Sequence, residues 1–278
     1  MGLRNITDVR TMAITGKESE LRGMNEVIAG GRLQFRLFRR SAGQLQIFAT
    51  IPLFTAILLS TVRWAGNPDM ESYAAIAPAL MGVWLVSLDL AGSAIDAERT
   101  NGTLELFLSA PARFTFMIGG RVAVISSLFF LMFAESWTTA RVVFDADISV
   151  YHFWPLVMTL AATALATFGV ATSLSAMFVV ARSARVYANA LGYPFYLLSG
   201  VMVPVSSLPS WLHPVSKVIY LTWAADLLRS TVRPDPVADL GGRLTALLLL
   251  GVCAYAVGLL VVERLLRRLK QEGTVTLS

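Results

Sequence analysis

Cysteine, histidine and charged residues are all scarce in this sequence. The single cysteine, Cys253, excludes an intrachain disulfide framework and a cysteine-cluster metal site. Only 15% of the 278 residues are charged, far fewer than disordered chains or coiled coils contain. The two histidines, His152 and His213, have no carboxylate or second histidine at metal-ligand spacing. These absences argue against a disulfide-stabilised protein, a metal-binding protein, a disordered chain and a coiled coil.

Apolar residues, in contrast, are abundant. Hydrophobic residues make up 55% of the chain, and its mean hydropathy is +0.63. Six stretches reach or approach the roughly 20 apolar residues that a transmembrane helix needs. They are residues 46–62, 73–95, 116–138, 154–180, 187–203 and 244–262. We therefore predict an all-α membrane protein with six transmembrane helices.

The fifth stretch differs from the others because it carries Gly192, Pro194 and Gly200. Both residue types interrupt backbone hydrogen bonding, and freed backbone groups must then find partners within the protein. We expect this helix to be irregular and packed inside the bundle.

Lysine and arginine are distributed unequally between the two sides of this six-span arrangement. With both termini cytoplasmic, 17 of the 23 basic residues lie in inner segments, as the positive-inside rule requires. The first 40 residues contain no apolar core, so we expect no secretory signal peptide. The sequence predicts a multi-pass protein of the inner (plasma) membrane. Its net charge of +5 reflects topology and contact with membrane lipid, not a nucleic-acid partner.

Residues 24–42 have the periodicity of an amphipathic helix that precedes the first span. Such a helix lies in the membrane interface or packs its apolar side on other protein, and its position favours the interface. Its apolar side consists of Met24, Val27, Ile28, Phe35, Phe38 and Ala42, and its basic side of Arg32, Arg36, Arg39 and Arg40.

The loop between the second and third spans contains a short apolar segment. Residues 101–102 (Asn-Gly) would end the preceding helix, Thr103 could cap a new one, and Pro111 would prevent its continuation. A helix over residues 103–109 has nothing in its own loop to pack against. It would therefore dock on a partner or fold under its own bundle. Its apolar face consists of Leu104, Phe107 and Leu108, with Leu106 beside it.

The longest outer segment, residues 204–239, is apolar but interrupted by Pro204, Pro209 and Pro214. It is too short to span a membrane twice. Two short helices that enter the outer leaflet and return would account for this composition.

These segments together resemble the ABC-2 type permeases, the membrane subunits of ATP-driven exporters. Residues 98–111 (ERTNGTLELFLSAP) are similar to the coupling-helix segment of that family. Residues 198–204 (LSGVMVP), 208–212 (LPSWL) and 220–229 resemble its fifth helix and re-entrant outer hairpin. The resemblance covers most of residues 24–265, and it is greatest to the drug and antibiotic export branch.

The resemblance implies a fold and a set of functional residues. It implies a cytoplasmic tail (1–23), an amphipathic elbow helix (24–42), a six-span domain (43–265) and a second cytoplasmic tail (266–278). The ATPase-coupling residues would be Glu98, Thr103, Leu104, Glu105, Phe107 and Leu108. The re-entrant hairpin would include Pro204, Pro209, Trp211 and Arg229.

The resemblance also implies partners. The chain would pair with a second copy or a related permease, and with two copies of a separate ABC ATPase subunit. No G-x-x-x-x-G-K-[S/T] motif occurs, so we expect ATP and magnesium to bind the partner and this chain to be non-catalytic and free of cofactors. The expected cargo is amphipathic or hydrophobic, as in multidrug efflux and antibiotic resistance.

Four polar or aromatic residues within the spans are candidates for the translocation path: Asp89, Glu135, Tyr193 and Tyr196. An ionisable residue such as Asp89 is functional by default, although it could instead cap a helix or pair with Arg121. For Glu135, a structural pair with Arg141 is the stronger expectation. Asp226 and Arg229, one helical turn apart, are also expected to pair.

Two alternative functions are those of an intramembrane protease and of a membrane scaffold. An intramembrane serine protease needs G-x-S-G and a histidine within a span, but residues 197–200 (LLSG) lack the first glycine and no span contains histidine. A non-transporting membrane scaffold is not excluded by any residue. An apolar cytoplasmic loop helix would nevertheless be unusual in a scaffold.

Overall fold

The computed structural model describes residues 24–36, 42–67, 70–100, 111–180 and 184–272. This part of the chain is helical and contains no strand, which confirms the all-α prediction there. Residues 24–36 form α1. The other helices are α2 (Ala42–Trp64), α3 (Glu71–Thr100), α4 (Pro111–Phe144), α5 (Phe153–Val180), α6 (Ala184–Leu198), α7 (His213–Val218), α8 (Tyr220–Thr231) and α9 (Leu240–Glu272).

Four of these helices are long and apolar enough to cross a membrane: α3, α4, α5 and α9. Helix α2 contains a shorter apolar stretch, Phe48–Trp64. Helix α6 has 15 residues with Pro194 among them, and it ends at Leu198, within the predicted fifth span. Each of the six predicted stretches therefore overlaps a helix, but the apolar part of α2 is short and so is α6 itself.

Helix α3 is the centre of the bundle. In its apolar segment 78% of the residues are buried, against 17% in the apolar segment of α9. Its outer half is rich in small buried residues, including Ala74, Ala75, Ala77 and Ala79, which allow neighbouring backbones to approach. It packs against α2, α4, α5, α6 and α8.

Small residues also bring α5 and α9 together. A methyl group added at Gly251 would lie 2.5 Å from the Cα of Ala166, and one at Gly258 would lie 2.8 Å from the Cα of Ser173. Gly169 packs directly against the backbone of Gly251. In a membrane, such close contact supplies the dispersion energy that holds helices together. The outward side of α9, with Leu249 and Val252, is exposed.

Helix α1 packs on α4 through a backbone contact. Gly120 faces the carbonyl group of Val27, where any side chain would collide, and the Arg121 Nε donates to the Gln34 Oε1 at 3.1 Å. Val27 of the predicted apolar side is half-buried at this contact, whereas three other residues of that side are exposed: Met24, Ile28 and Phe35. Arg32 and Arg36 are also exposed, whereas Phe38, Arg39 and Arg40 lie outside the described residues.

The outer segment folds into two short 3-10 turns, Val205–Ser207 and Ser210–Leu212, followed by α7 and α8. Pro204 and Pro209 each precede one turn, and Pro214 lies in the first turn of α7. The fixed backbone angle of proline suits all three positions. We call residues 199–231 the outer hairpin.

Two contacts fix α8 beside α5. The Tyr220 hydroxyl lies 3.1 Å from the Thr167 hydroxyl at one end of α8. At the other end the Thr231 carbonyl accepts hydrogen bonds from the backbone N–H groups of Tyr151 and His152. Since α5 begins at Phe153, α8 lies along the first half of α5.

Candidate functional site

A cavity of about 240 Å³ lies between α2, α3 and α6. Its walls are mostly apolar, with a few hydroxyl groups among them. The lining residues are Thr50, Ile51 and Phe54 of α2, Pro78, Met81, Gly82 and Leu85 of α3, and Gly192, Tyr193 and Tyr196 of α6. An apolar cavity with a few polar groups is typical of a site for a small amphipathic molecule.

Two aromatic contacts hold α6 against α3 beside this cavity. The Tyr196 hydroxyl donates to the Met81 carbonyl at 3.0 Å, and this side chain is buried. Phe195 stacks on Trp84 with ring centroids 4.1 Å apart. Tyr193, which meets the edge of Tyr196, is 73% exposed. Tyr196 therefore positions the helix, whereas Tyr193 presents its ring to the opening.

Of the two glycine residues that line the cavity, only Gly192 has free space beside it. Gly192 is buried, yet a methyl group added there would meet no atom within 4 Å. Gly82 on the opposite wall has no such room, because a methyl group there would lie 3.0 Å from Ile51. The free space therefore lies on the α6 side.

Of the four candidate path residues, the structure brings Tyr193 and Tyr196 to the cavity. Glu135 belongs to α4, which contributes no lining residue, and one of its carboxylate oxygens is buried without a hydrogen-bond partner. Asp89 lies on α3, but its side chain is outside the part that the structure describes. The expected Glu135–Arg141 pair is wrong: the Arg141 Nη1 instead lies 3.4 Å from the Ile148 carbonyl.

Of the predicted coupling residues, only Glu98 belongs to a described helix. Glu98 is in the last turn of α3, with its side chain outside the described part. Thr103, Leu104, Glu105, Phe107 and Leu108 all lie outside the described residues. Their role in coupling stays a prediction.

Arg229 of the outer hairpin is buried and holds three parts of the chain together. Its Nη1 donates to the Gly200 carbonyl at 2.8 Å and its Nη2 to the Val201 carbonyl at 2.6 Å. Its guanidinium lies 3.7 Å from the centroid of the Tyr73 ring. Burial lowers the pKa of Arg229 to about 10, so the group remains charged at neutral pH.

The expected local pair between Asp226 and Arg229 is wrong. Asp226 instead forms an ion pair with Arg243 of α9, at 2.6 Å. The Arg229 side chain instead turns inward, where it donates to the carbonyl groups of Gly200 and Val201 in the turn that follows α6. Gly200 makes this turn possible with a φ of +72°, a backbone conformation that glycine adopts without strain.

Sequence reasoning missed the contribution of α2 to the cavity. Thr50, Ile51 and Phe54 carry no motif and look like any apolar stretch with one hydroxyl. The sequence signal for a cavity was the presence of Pro78 and Gly82 in the second span and of Gly192 in the fifth. Small or rigid residues such as these leave room between packed helices.

Comparison with known families identifies the chain. A model of the ABC-2 type transporter family matches residues 26–232, well over half of the sequence. The chain belongs to the ABC-2 type transporter family. Comparison with curated proteins finds no match, and comparison with solved structures finds none either.

Membership of the ABC-2 type family makes this chain an integral membrane protein. Permeases of this family normally work with an ATP-binding subunit and are generally not catalytic themselves. The matched region contains the cavity-lining helices, residues 101–110 and the outer hairpin.

Proposed function

We propose that this chain is the permease subunit of an ABC exporter and that its cargo passes through the cavity between α2, α3 and α6. The observation that carries this proposal is an apolar, partly hydroxylated cavity within an ABC-2 type membrane domain. The cargo is an amphipathic or hydrophobic compound, such as a drug, an antibiotic or a lipid-like molecule. Its apolar part contacts Phe54, Leu85 and Tyr193.

The chain crosses the membrane six times, with α2 and α6 as the two short spans. Both line the cavity and pack against the buried helix α3, which supports this assignment. A short or interrupted span is tolerated where protein supplies the missing hydrogen-bond partners. The Arg229 hydrogen bonds to Gly200 and Val201 supply such partners at the end of α6.

The outer hairpin re-enters the outer leaflet. This re-entry is supported by the position of Tyr220 relative to α5. Its hydroxyl is paired with that of Thr167, which is midway along the 28 residues of α5. Helix α8 has 12 residues and is therefore about 18 Å long. That length, with the reach of the tyrosine side chain, matches about half of α5. The hairpin thus descends to the level of Tyr220 and returns along α8.

Transport requires a second permease copy and a separate ATPase. The segment 103–109 docks in a groove of the ATPase, so that closure of the ATPase dimer upon ATP binding moves α3 and α4. Sequence supports this step, because residues 101–110 join the inner ends of these two helices. Rotation of the helix bundles then alternates access to the cavity.

A bulky residue at Gly192 tests this proposal. The side chain of Gly192→Phe would start in free space, because a methyl group there meets no atom within 4 Å, so the protein should fold, bind its ATPase and fail to transport. Gly241→Phe is the matched control, since Gly241 also has no atom within 4 Å of an added methyl but lies at the start of α9. With the complex in proteoliposomes, ATP-driven efflux of a fluorescent amphipathic compound that the wild-type complex exports should fall about tenfold, or by about 1.4 kcal/mol, in Gly192→Phe and stay at the wild-type rate in Gly241→Phe. Equal efflux by both variants would refute the cavity as the path.

A further inference from the structure

The cavity between α2, α3 and α6 has polar groups but no charge. No lysine, arginine, aspartate or glutamate of the described residues lines it, so no side chain there can neutralise a charged group. Its polar side chains are three hydroxyl groups, those of Thr50, Tyr193 and Tyr196. The class of cargo that fits this cavity therefore depends on the hydrogen bonds that these hydroxyl groups can make.

Two of the three hydroxyl groups already donate their proton to the backbone. The Thr50 Oγ1 donates to the Gln46 carbonyl at 2.9 Å, and the Tyr196 hydroxyl donates to the Met81 carbonyl at 3.0 Å. A hydroxyl group has one proton and two lone pairs, so each of these oxygens can still accept a hydrogen bond. Toward a cargo molecule both groups are therefore acceptors and not donors.

The walls of the cavity offer further electron-rich groups. Pro78, which lines the cavity, has no N–H, so the Ala74 carbonyl one turn earlier in α3 has no helical donor. Phe54 and Tyr193 contribute aromatic rings, whose faces attract cations. The Tyr193 hydroxyl could donate a hydrogen bond, but its side chain is exposed at the opening. The interior of the cavity is therefore rich in acceptors and poor in donors.

We propose that the cargo presents a hydrogen-bond donor to the Thr50 oxygen, and that it is an amine, an alcohol or an amide and not a carboxylate or a phosphate. Its apolar body contacts Phe54, Leu85 and Tyr193. An anion would face oxygen lone pairs without a counter-charge, and burial of an unpaired charge is costly. The proposal rests on the proposed function, because it takes the cavity as the path. It narrows the cargo from any amphipathic compound to neutral or cationic ones that carry a donor.

Binding of pyrene derivatives that differ only in their polar group tests the proposal. The full-length chain, in nanodiscs of phosphatidylcholine, is titrated with 1-pyrenemethanol, with the methyl ether of this alcohol and with 1-pyrenecarboxylate. Energy transfer from tryptophan to pyrene reports binding. We expect the wild-type chain to bind the alcohol about fivefold more tightly than the ether, as for one hydrogen bond between neutral groups. It should also bind the alcohol more tightly than the carboxylate.

Matched variants assign this preference to one hydroxyl group. Thr50→Val removes the hydroxyl and should abolish the preference for the alcohol over the ether, whereas Thr50→Ser should keep it. Thr61→Val is the control, because Thr61 also lies in α2 and donates to the carbonyl four residues earlier, but it does not line the cavity. This control should leave the preference unchanged. Gly192→Phe should abolish saturable binding of all three probes, because its side chain enters the cavity.

Several results would overturn the proposal. The wild-type chain could bind the alcohol and the ether equally, or it could bind the carboxylate as tightly as the alcohol. The preference could survive in Thr50→Val, or it could disappear in Thr61→Val. Unchanged binding by Gly192→Phe would place the probes outside the cavity. Failure of the exporter function is measured separately, as absence of ATP-driven efflux with the ATPase, and it leaves these binding results intact.

Discussion

At the scale of single residues, the buried cation of the hairpin is stabilised by backbone carbonyl groups and an aromatic ring. Arg229 donates to two carbonyl oxygens and lies over the ring of Tyr73, and no carboxylate in the described part of the chain forms an ion pair with it. A planar guanidinium can make all three contacts at once, which a lysine ammonium cannot. Arg229 therefore ties the hairpin to the end of α6 and the start of α3.

Arg229→Met should destabilise the folded protein, because two buried carbonyl groups lose their donors. The expected cost is about 1–3 kcal/mol for each group left unsatisfied. It is measured as a lower midpoint of thermal unfolding in detergent, followed by fluorescence. The pKa of about 10 keeps the guanidinium protonated, so the difference from wild type should be the same at pH 6 and pH 8. Arg141→Met, at an exposed position, serves as the control, and an equal loss there would contradict this role.

At the scale of helices, apolar runs predicted where helices lie but not how far they extend. Helix α4 includes Arg113 and Arg141, and α9 continues to Glu272, because backbone hydrogen bonding persists into the polar interface where hydropathy falls. Helix α6 stops earlier than its apolar run because Gly200 turns the chain. Hydropathy reports the desolvated part of a helix, not its ends.

The cavity could be predicted only in part, because its walls come from distant parts of the chain. Tyr193 and Tyr196 stood out as aromatic residues in an irregular span. Thr50 contributes from more than 140 positions away, and only packing reveals that contact. The ion pair of Asp226 was wrongly predicted for the same reason. Its partner Arg243 is close in space but belongs to another helix.

The segment between α3 and α4 is the element on which the proposed coupling to the ATPase depends. Phe107→Asp would place an unpaired charge in a desolvated groove of the ATPase, at a cost on the order of 2–5 kcal/mol of binding. Membrane insertion and protein level should be normal, since no span contains Phe107. Co-purification with the ATPase and cargo-stimulated ATP hydrolysis should both be lost.

Two controls accompany that variant. Glu105→Ala should have a small effect, because an exposed charge at the rim of an interface contributes little. Phe129→Asp should prevent insertion itself, since Phe129 is fully buried in α4. Normal ATPase binding by Phe107→Asp would show that residues 103–109 do not form the contact.

At the scale of the whole molecule, the distribution of charge predicts the orientation in the membrane. If the chain inserted the other way, the segments rich in arginine and lysine would lie outside the cell, against the positive-inside rule. In the proposed orientation the coupling segment would lie with the ATPase in the cytoplasm, and the hairpin would lie at the outer face. The proposed function therefore requires the predicted topology.

Cysteine labelling tests this orientation directly. Cys253 is exposed and must first be replaced by serine, so that each new cysteine reports alone. Cysteine at Asp147 or Ser206, both exposed, should react with a membrane-impermeant maleimide in intact cells. Cysteine at Ser109 or Ser183 should react only after the membrane is permeabilised, because six spans with cytoplasmic termini place both on the inner side. Reaction at position 109 in intact cells would put the coupling segment out of reach of any cytoplasmic ATPase, and the proposed exporter could not be driven by one.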